Sequence, residues 1–462
     1  MILPLEKNRA FIFLSAFLLI CSIGNIPKVS ASDFTFKLSI TEALKNSLEL
    51  KSEKYRLESV RHSLEESYSS KDWSNSFTTV YNSLNKQSDS VGSYVNDDTT
   101  TSTISLSKKI LDGGEAFEKY SIAMDNIKLQ ENKLKLIEQE VILNAVNSYL
   151  DVYTNQSFFS LRKRSLERFK ENVEATRLKL EAGTVTPTIL AEAQSKLAKA
   201  NYDLILAEGN LKNAVSKFKS ITKFKVVPNK FYLPSLNFKE PKTENETIKL
   251  SNKNNLSLNI AKLNKALAEK NIKLYKTGNR PSLKLEFLLK DSQSSASNST
   301  SDYQSYGANI TFSSPLFYNN SSKSSLRRLD KLYMASSLDL SEKYRKVELD
   351  AISSFQNYKN SIAKIIASES EKKSSLLALN GIKKEAEFGI RTVLEELDAE
   401  VEYLNASANL IKSEAEKVYN LLSIKAILGE LTIKVIDSKY IDNFVLKDKD
   451  LNFNILDMKM FN

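Results

Sequence analysis

Between Glu115 and Glu181 the chain runs 67 residues without a single Gly or Pro. Helix interiors lose about 3 kcal/mol to a Pro and about 1 kcal/mol to a Gly. A stretch this long without either predicts one unbroken helix, about 100 Å long at 1.5 Å per residue. Within it Leu166, Phe169, Val173, Thr176 and Leu180 recur at alternating spacings of three and four, the period of a coiled-coil seam. A lone helix of that length cannot bury its apolar stripe, so it must pack along neighbours. Ser321 to Asn380 is equally free of breakers. The whole chain holds only 11 Gly and 8 Pro in 462 residues, with 26% charged and 41% hydrophobic side chains, which fits a folded, helix-rich protein and not a disordered one.

The chain also reads as a duplication, a feature to settle before the fold. Asn46-Ser47-Leu48-Glu49-Leu50 matches Asn254-Asn255-Leu256-Ser257-Leu258 at an offset of 208, and the same offset carries Trp73 onto Pro281. Further on the offset is 206: Glu181, Gly183, Thr186, Ala193, Ala200 and Leu204 fall on Glu387, Gly389, Thr392, Ala399, Ala406 and Leu410. That period is far too long for a solenoid and points to two homologous halves, 32–222 and 243–432.

Each half has one order of elements. A helix of about thirty residues comes first, opened by the capping-box patterns Ser39-Ile40-Thr41-Glu42 and Thr243-Glu244-Asn245-Glu246 and running to about Lys71 and about Thr277. Two strands follow. Leu283, Leu285, Phe287 and Leu289 alternate with Lys284 and Glu286, and Ala308, Ile310 and Phe312 alternate with Asn309, Thr311 and Ser313, around a polar loop from Asp291 to Asp302. In the first half Ile104 and Leu106, with Phe77, Thr79 and Tyr81, suggest the matching pair. Such alternation suits a lipid-facing barrel strand and an ordinary half-buried hairpin equally well. The long helix comes next, then a turn at Gly183 or Gly389 and a returning helix of about 35 residues, Thr188 to about Thr222 and Thr392 to about Leu428. The short first helix can stack end to end with the returning one and so match the long helix in length. Pro228, Pro234 and Pro241 mark 223–242 as an extended linker. The tail, 433–462, is irregular.

Residues 1–31 read as a signal peptide: Lys7 and Arg9 flank an apolar run from Ala10 to Ile23, and Val29-Ser30-Ala31 supplies the cleavage site. The apolar run is short for a bilayer span, and no run of about 20 apolar residues follows it. Cleavage would remove Cys21, the only cysteine, and would lower the formal charge from +10 to +8. That excess is spread along the helices, which argues for solvated faces and against a nucleic-acid partner. Nothing reads as an enzyme. His62, the sole histidine, sits in polar helix; no HExxH, GxSxG, phosphate loop or metal-spaced cluster occurs. No catalytic residue, cofactor or metal is expected.

In this order of elements, and in the turn residues Glu181-Ala182-Gly183-Thr184-Val185-Thr186, Gly389-Ile390-Arg391-Thr392-Val393-Leu394-Glu395-Glu396-Leu397-Asp398-Ala399-Glu400 and the strand-to-helix junction Leu111-Asp112-Gly113-Gly114, the chain resembles the TolC outer-membrane efflux and secretion proteins over about residues 35–432. The second-half junction, Pro315-Leu316-Phe317-Tyr318-Asn319-Asn320, has Asn where the family has Gly. The stretch from Arg391 through Glu400 leans toward the type I secretion subgroup. The resemblance implies a mainly α fold with a β-barrel portion: three copies closing a shared twelve-stranded barrel in outer-membrane lipid above a periplasmic helical tunnel. It implies a passive exit duct opened at its periplasmic tip by an adaptor (membrane fusion protein) and an inner-membrane transporter, ABC-type or proton-driven.

The resemblance also implies a gate at the tip. Arg391 matches the family's gating arginine and Thr188 one of its partners; Glu395 and Asp398 match two acidic positions that form carboxylate rings on a threefold axis; Gly183, Thr184, Val185, Gly389, Ile390 and Thr392 make the tip turns. Three carboxylates around a narrow axis would favour cations. The competing account of Glu395 and Asp398 is a solvated helix start near the positive end of the dipole. One family link, a Tyr–Asp pair, is missing, because Ala386 and Ile189 stand at its positions. The alternative function is a periplasmic coiled-coil tether or adaptor without a pore. Two hairpins and few glycines count against it.

Overall fold

A computed structural model describes residues 31–436 apart from 70, 88–93, 225–230, 237, 239, 297–298 and 318–319. The signal-peptide reading for residues 1–30, the tail beyond 436, and Tyr318 and Asn319 of the second junction lie outside the described residues.

In the first half, α1 (Ala31–Asn46) and α2 (Leu48–Ser69) lead into β1 (Ser74–Gln87) and β2 (Tyr94–Leu111), then the long α3 (Glu115–Glu181) and the returning α4 (Pro187–Thr222). The second half repeats this with α5 (Glu244–Asn254), α6 (Leu256–Thr277), β3 (Ser282–Ala296), β4 (Ser299–Ser313), α7 (Asn320–Glu387) and α8 (Val393–Ile427), and a short α9 (Ile433–Ile436) ends the described chain. Helices dominate, and the strands form one antiparallel sheet in the order β1-β2-β3-β4. Both long helices are continuous: α3 holds no breaker, and α7 runs past its breaker-free stretch through Gly381 to Glu387. At their far ends both turns place a glycine, Gly183 and Gly389, at φ +74. The left-handed region is where glycine carries no Cβ penalty.

The first helix of each half is two helices. The expected single helix breaks at Ser47 and at Asn255, the very residues matched at the 208 offset. Ser47 Oγ accepts from the Leu50 N–H at 3.2 Å, and Asn255 Oδ1 from the Leu258 N–H at 3.0 Å. Each restarts the helix by capping its new N-terminus. The breaks also clip the two columns together: Asn46 Nδ2 donates to Thr222 O at 3.0 Å and Asn255 Nδ2 to Ile427 O at 2.9 Å, each at the end of the returning helix. Ser39 is buried inside α1, so its pattern is no start signal. Thr243 does cap, accepting from Glu246 N at 3.2 Å.

Side by side, the columns run α2 with α4, then α3, then α6 with α8, then α7; α3 packs on the columns to either side, and α7 closes the row. The main core lies at mid-height. Tyr149 on α3 is fully buried, its ring 5.0 Å from Phe36, 5.0 Å from Phe231 and 6.4 Å from Phe218. Phe231 belongs to the Pro-containing connection. Read from sequence as an extended linker, that segment has no helix or strand among its described residues, yet it packs into the core: Phe231 N donates to Gln156 Oε1 at 2.8 Å, Tyr149 OH donates to Tyr232 O at 3.0 Å, and Tyr232 N donates back to the same hydroxyl at 3.3 Å.

The sheet sorts its faces by register. Phe77, Ile104, Leu289 and Tyr306 form one row across all four strands; Leu106, Phe287 and Ala308 lie in the row below, and Leu285 with Ile310 and Leu283 with Phe312 complete the face. Most of these side chains are exposed, Ile310 to 73% and Tyr306 to 90%, while Leu283 and Leu285 are half-buried. The opposite face carries Thr78, Thr103, Lys290 and Ser305 in one row and Ser76, Ser105, Leu288 and Gly307 in the next. The apolar band spans about 20 Å along the strand. Lys108 is its charged member, with Nζ 5.6 Å over the Trp73 ring. The predicted polar loop from Asp291 to Asp302 is mostly strand, since β3 and β4 continue to Ala296 and from Ser299. Polar side chains there signal a strand that has left its apolar surroundings, which alternation alone cannot report.

Candidate functional site, the tip of the two helical hairpins

At the end remote from the sheet, each long helix reverses. At the first turn Gly183 N donates to Leu180 O at 2.9 Å, and Thr184 donates to Lys179 O through both its backbone N–H and its hydroxyl. At the second turn Ile390 N donates to Glu385 O at 2.8 Å. Phe388 and Ile390 are 82% and 73% exposed there. Each turn thereby satisfies carbonyls that the helix end leaves without partners.

Beyond Gly389, Thr392 caps α8 with a full capping box: its hydroxyl accepts from Glu395 N at 3.2 Å, and Glu395 Oε2 accepts from Thr392 N at 2.8 Å. The T-x-x-E spelling of this box was visible in the sequence. Arg391 closes around it, with Nε 3.0 Å from Glu385 Oε2 and Nη1 2.8 Å from Glu395 Oε1. The Thr392 N–H first, and the Arg391 guanidinium after it, hold the Glu395 carboxyl below its ordinary range, while Glu395 and Glu385 raise Arg391. Thr188 is exposed in the first turn of α4, at the same end of the molecule. Within one chain Arg391 forms ion pairs with Glu385 and Glu395, both of its own hairpin.

Asp398 lies one turn further along α8 and is paired with the Lys196 ammonium of α4. Glu400 is buried and accepts from Arg168 Nη1 of α3. An apolar cluster joins the same elements: Val393, Leu397 and Leu404 share it with Leu166, Phe169, Ala193 and Ala200, and Ile189 packs against it. Ile189 thus meets apolar neighbours where the family link is missing, while Ala386 is buried elsewhere on α7. The pairings of Lys196 with Asp398 and of Arg168 with Glu400 leave no sequence signal, because each joins residues about two hundred positions apart and neither cation is distinguished from the many exposed ones.

Glu396, between these groups, is partly buried. Burial pushes its carboxyl above the ordinary value of 4.5; Lys383 and Lys179 pull it down, and Glu387 and Glu400 push it up. A carboxyl raised in the folded state stabilises the fold fully below the unfolded value and loses that contribution as pH rises through the folded one. Thermal stability should therefore fall slightly as pH climbs from 4.5 toward neutrality, and Glu396→Gln should flatten that part of the profile when unfolding midpoints are compared across pH. His62, read as a solvated side chain, is exposed and 3.2 Å from Glu65.

Comparison with known proteins places this architecture. The family described as "Outer membrane efflux protein" matches residues 39–222 and 247–430, most of the chain. The chain is 26% identical over 318 residues to the outer membrane protein TolC of Escherichia coli strain K12, covering 66% of this chain and 64% of that protein. To TolC of Vibrio cholerae it is 25% identical over 271 residues, covering 57% and 61%. The aligned stretches thus span less than two thirds of these relatives' own length. The fold is similar to that of the outer-membrane channel OprN, with a TM-score of 0.75 over 86% of this chain and 90% of that one, at 15% identity.

Proposed function

The chain belongs to the outer membrane efflux protein family, and on that premise we propose that it is one of three subunits of an exit duct, a passive conduit for efflux or type I secretion. It is an outer-membrane protein. One observation carries the reading: the molecule ends in two open edges. β1 and β4 are the outer strands of a four-stranded sheet whose apolar face is exposed. Four strands cannot close a barrel, and lipid does not tolerate open edges. The helical wall has matching free sides. Leu48 and Tyr55 on α2 and Tyr202 and Ile205 on α4 are exposed at one side; Leu338, Leu349, Ile366 and Leu377 on α7 are exposed at the other. A head-to-tail ring covers both sides at once, and three copies of the chain give the twelve strands that the resemblance implies. A tether dissolved in the periplasm would leave the Phe77 to Tyr306 row in water.

In this reading the two repeats, 32–222 and 243–432, build the wall, and the tips form the periplasmic mouth. Exposed Phe388 and Ile390 offer apolar contact to a periplasmic adaptor, which would couple the duct to an inner-membrane transporter, ABC-type or proton-driven. Arg391 and Thr188 stand at this mouth with Glu395 and Asp398, and three copies would bring six carboxylates around the axis. Incorporation of purified protein into a planar bilayer should yield discrete, cation-preferring conductance. Replacing Glu395 and Asp398 together with Ala should lower the cation preference, leaving Lys196 without its carboxylate and Arg391 with Glu385 alone. Absence of any conductance would count against the duct, and an unchanged reversal potential in the double variant would remove these carboxylates from the ion path.

A further inference from the structure

Between the row that holds Leu288 and the row that holds Ser294, the polar face of the sheet carries one charged side chain, Lys290. Its ammonium lies 5.5 Å over the ring of Tyr303, on the neighbouring strand and the same face. No carboxylate stands near it on that face. Below, Glu286 is four residues away along β3, about 14 Å, and is already paired with Lys284 at 2.7 Å. Above, Asp97 lies in the row of Ala296, about 20 Å from Lys290, and accepts from Ser294 Oγ at 3.3 Å. Neither edge strand, β1 or β4, has an acidic residue on that face, so a copy docked on either edge adds no counter-charge there. From this placement we infer that Lys290 sets the ion preference of the barrel: three copies put three ammoniums at one height around the bore, an anion-favouring ring on an otherwise neutral stretch of wall. The inference rests on the duct reading, in which the apolar face meets lipid and the polar face the lumen. It adds a second charged station, opposite in sign to the carboxylates proposed at the tip.

The physics of such a ring is simple. Rings of lysine or arginine in a pore favour anions, as carboxylate rings favour cations. Lipid behind the strand is a low-dielectric wall and focuses the field into the water of the bore. The Tyr303 ring attracts the ammonium through its quadrupole and holds it against the sheet, but it does not cancel the charge. Salt decides how far the ring reaches. The screening length is about 30 Å at 0.01 M, about 10 Å at 0.1 M and about 3 Å at 1 M. The three ammoniums therefore act across the whole bore in dilute salt and only along the wall in concentrated salt. A constriction made by the bulk of Lys290 would be present equally at every concentration, so salt dependence separates charge from shape.

The test is the reversal potential of channels formed by the full chain in a potassium chloride gradient. Lys290→Gln should raise the cation-to-anion permeability ratio about twofold near 0.1 M salt. Lys290→Glu should raise it further, and Lys290→Arg should leave it at the wild-type value. The shifts should grow toward 0.01 M and vanish at 1 M. Lys290→Cys gives a control in which one channel is compared with itself, since Cys21, the only native cysteine, lies in the expected signal peptide. Coupling an ethylammonium thiol reagent to Lys290→Cys should return the ratio to the wild-type value, and coupling an ethylsulfonate reagent should push it beyond that of Lys290→Gln. An unchanged reversal potential in Lys290→Glu at 0.01 M, or no response of Lys290→Cys to either reagent, would overturn the ring and leave the duct standing. A shift in Lys290→Arg as large as that in Lys290→Gln would also overturn it, because shape and not charge would then set the ratio. A wild type that forms no channel would overturn the duct, and the ring with it.

Discussion

Gly429→Ala should lower the stability of the protein by about 3 kcal/mol, the sum of a left-handed backbone cost and an overpacking cost. Gly429 follows α8 at φ +70, and a Cβ there would stand 2.3 Å from the Asn254 carbonyl oxygen and 3.0 Å from its carbon. The first half supplies an internal control. Lys223 occupies the equivalent place after α4 and adopts φ 56 with a full side chain. The conformation alone is therefore tolerated, and close approach of the α5–α6 break demands the glycine in the second half. Relieving the contact would push Asn254 and Asn255 away and lengthen the 2.9 Å bond from Asn255 to Ile427 O, unclipping α6 from α8. A detergent-solubilised sample should show an unfolding midpoint several degrees lower. An unchanged midpoint would mean that the break moves at no cost and is not a clip.

Tyr149→Ala should be as damaging or more so, at about 3–5 kcal/mol for a fully buried aromatic whose neighbours cannot collapse onto the space. The ring touches α1, α4 and the Pro-containing connection at once through Phe36, Phe218 and Phe231. Its hydroxyl accepts from Tyr232 N and donates to Tyr232 O, standing in for a backbone partner in a segment that has no ladder of its own. Tyr149→Phe isolates that second role and should cost about 1 kcal/mol. If protease cleavage near Tyr232 rises in Tyr149→Phe while the midpoint barely moves, the hydroxyl serves the connection. If both variants match wild type, the mid-height cluster is not what fastens the two halves.

The parts of this molecule that the sequence made legible are those written in long, repeated patterns. Sixty-seven residues without a breaker admit one structure, and the 206 offset marks both turns through Gly183 and Gly389. The capping residues at Ser47 and Asn255 stood in plain view within the matched pentamers. They mark no boundary on their own, because the residues around them carry no Gly or Pro stop signal, and a side-chain cap inside a good helix pattern competes locally without changing periodicity. The connection read as a linker because Pro removes helix and strand together; that it would pack depended on Tyr149, some eighty residues away. At the tip the resemblance named Glu395 and Asp398, which lie near the start of α8 at the end remote from the sheet, but their partners are set by tertiary register. Which cation answers which carboxylate, Lys196 for Asp398 and Arg168 for Glu400, is decided by how α8 lies on α3 and α4, and no local pattern encodes that.

The central claim is that three of these chains close one tube, and the mass of the membrane-extracted, purified particle in detergent, by native mass spectrometry, tests it most directly. The account predicts three 52.1 kDa chains per particle, less any signal segment removed on export. A monomer that stays soluble without detergent would contradict it and leave a periplasmic helical tether in its place.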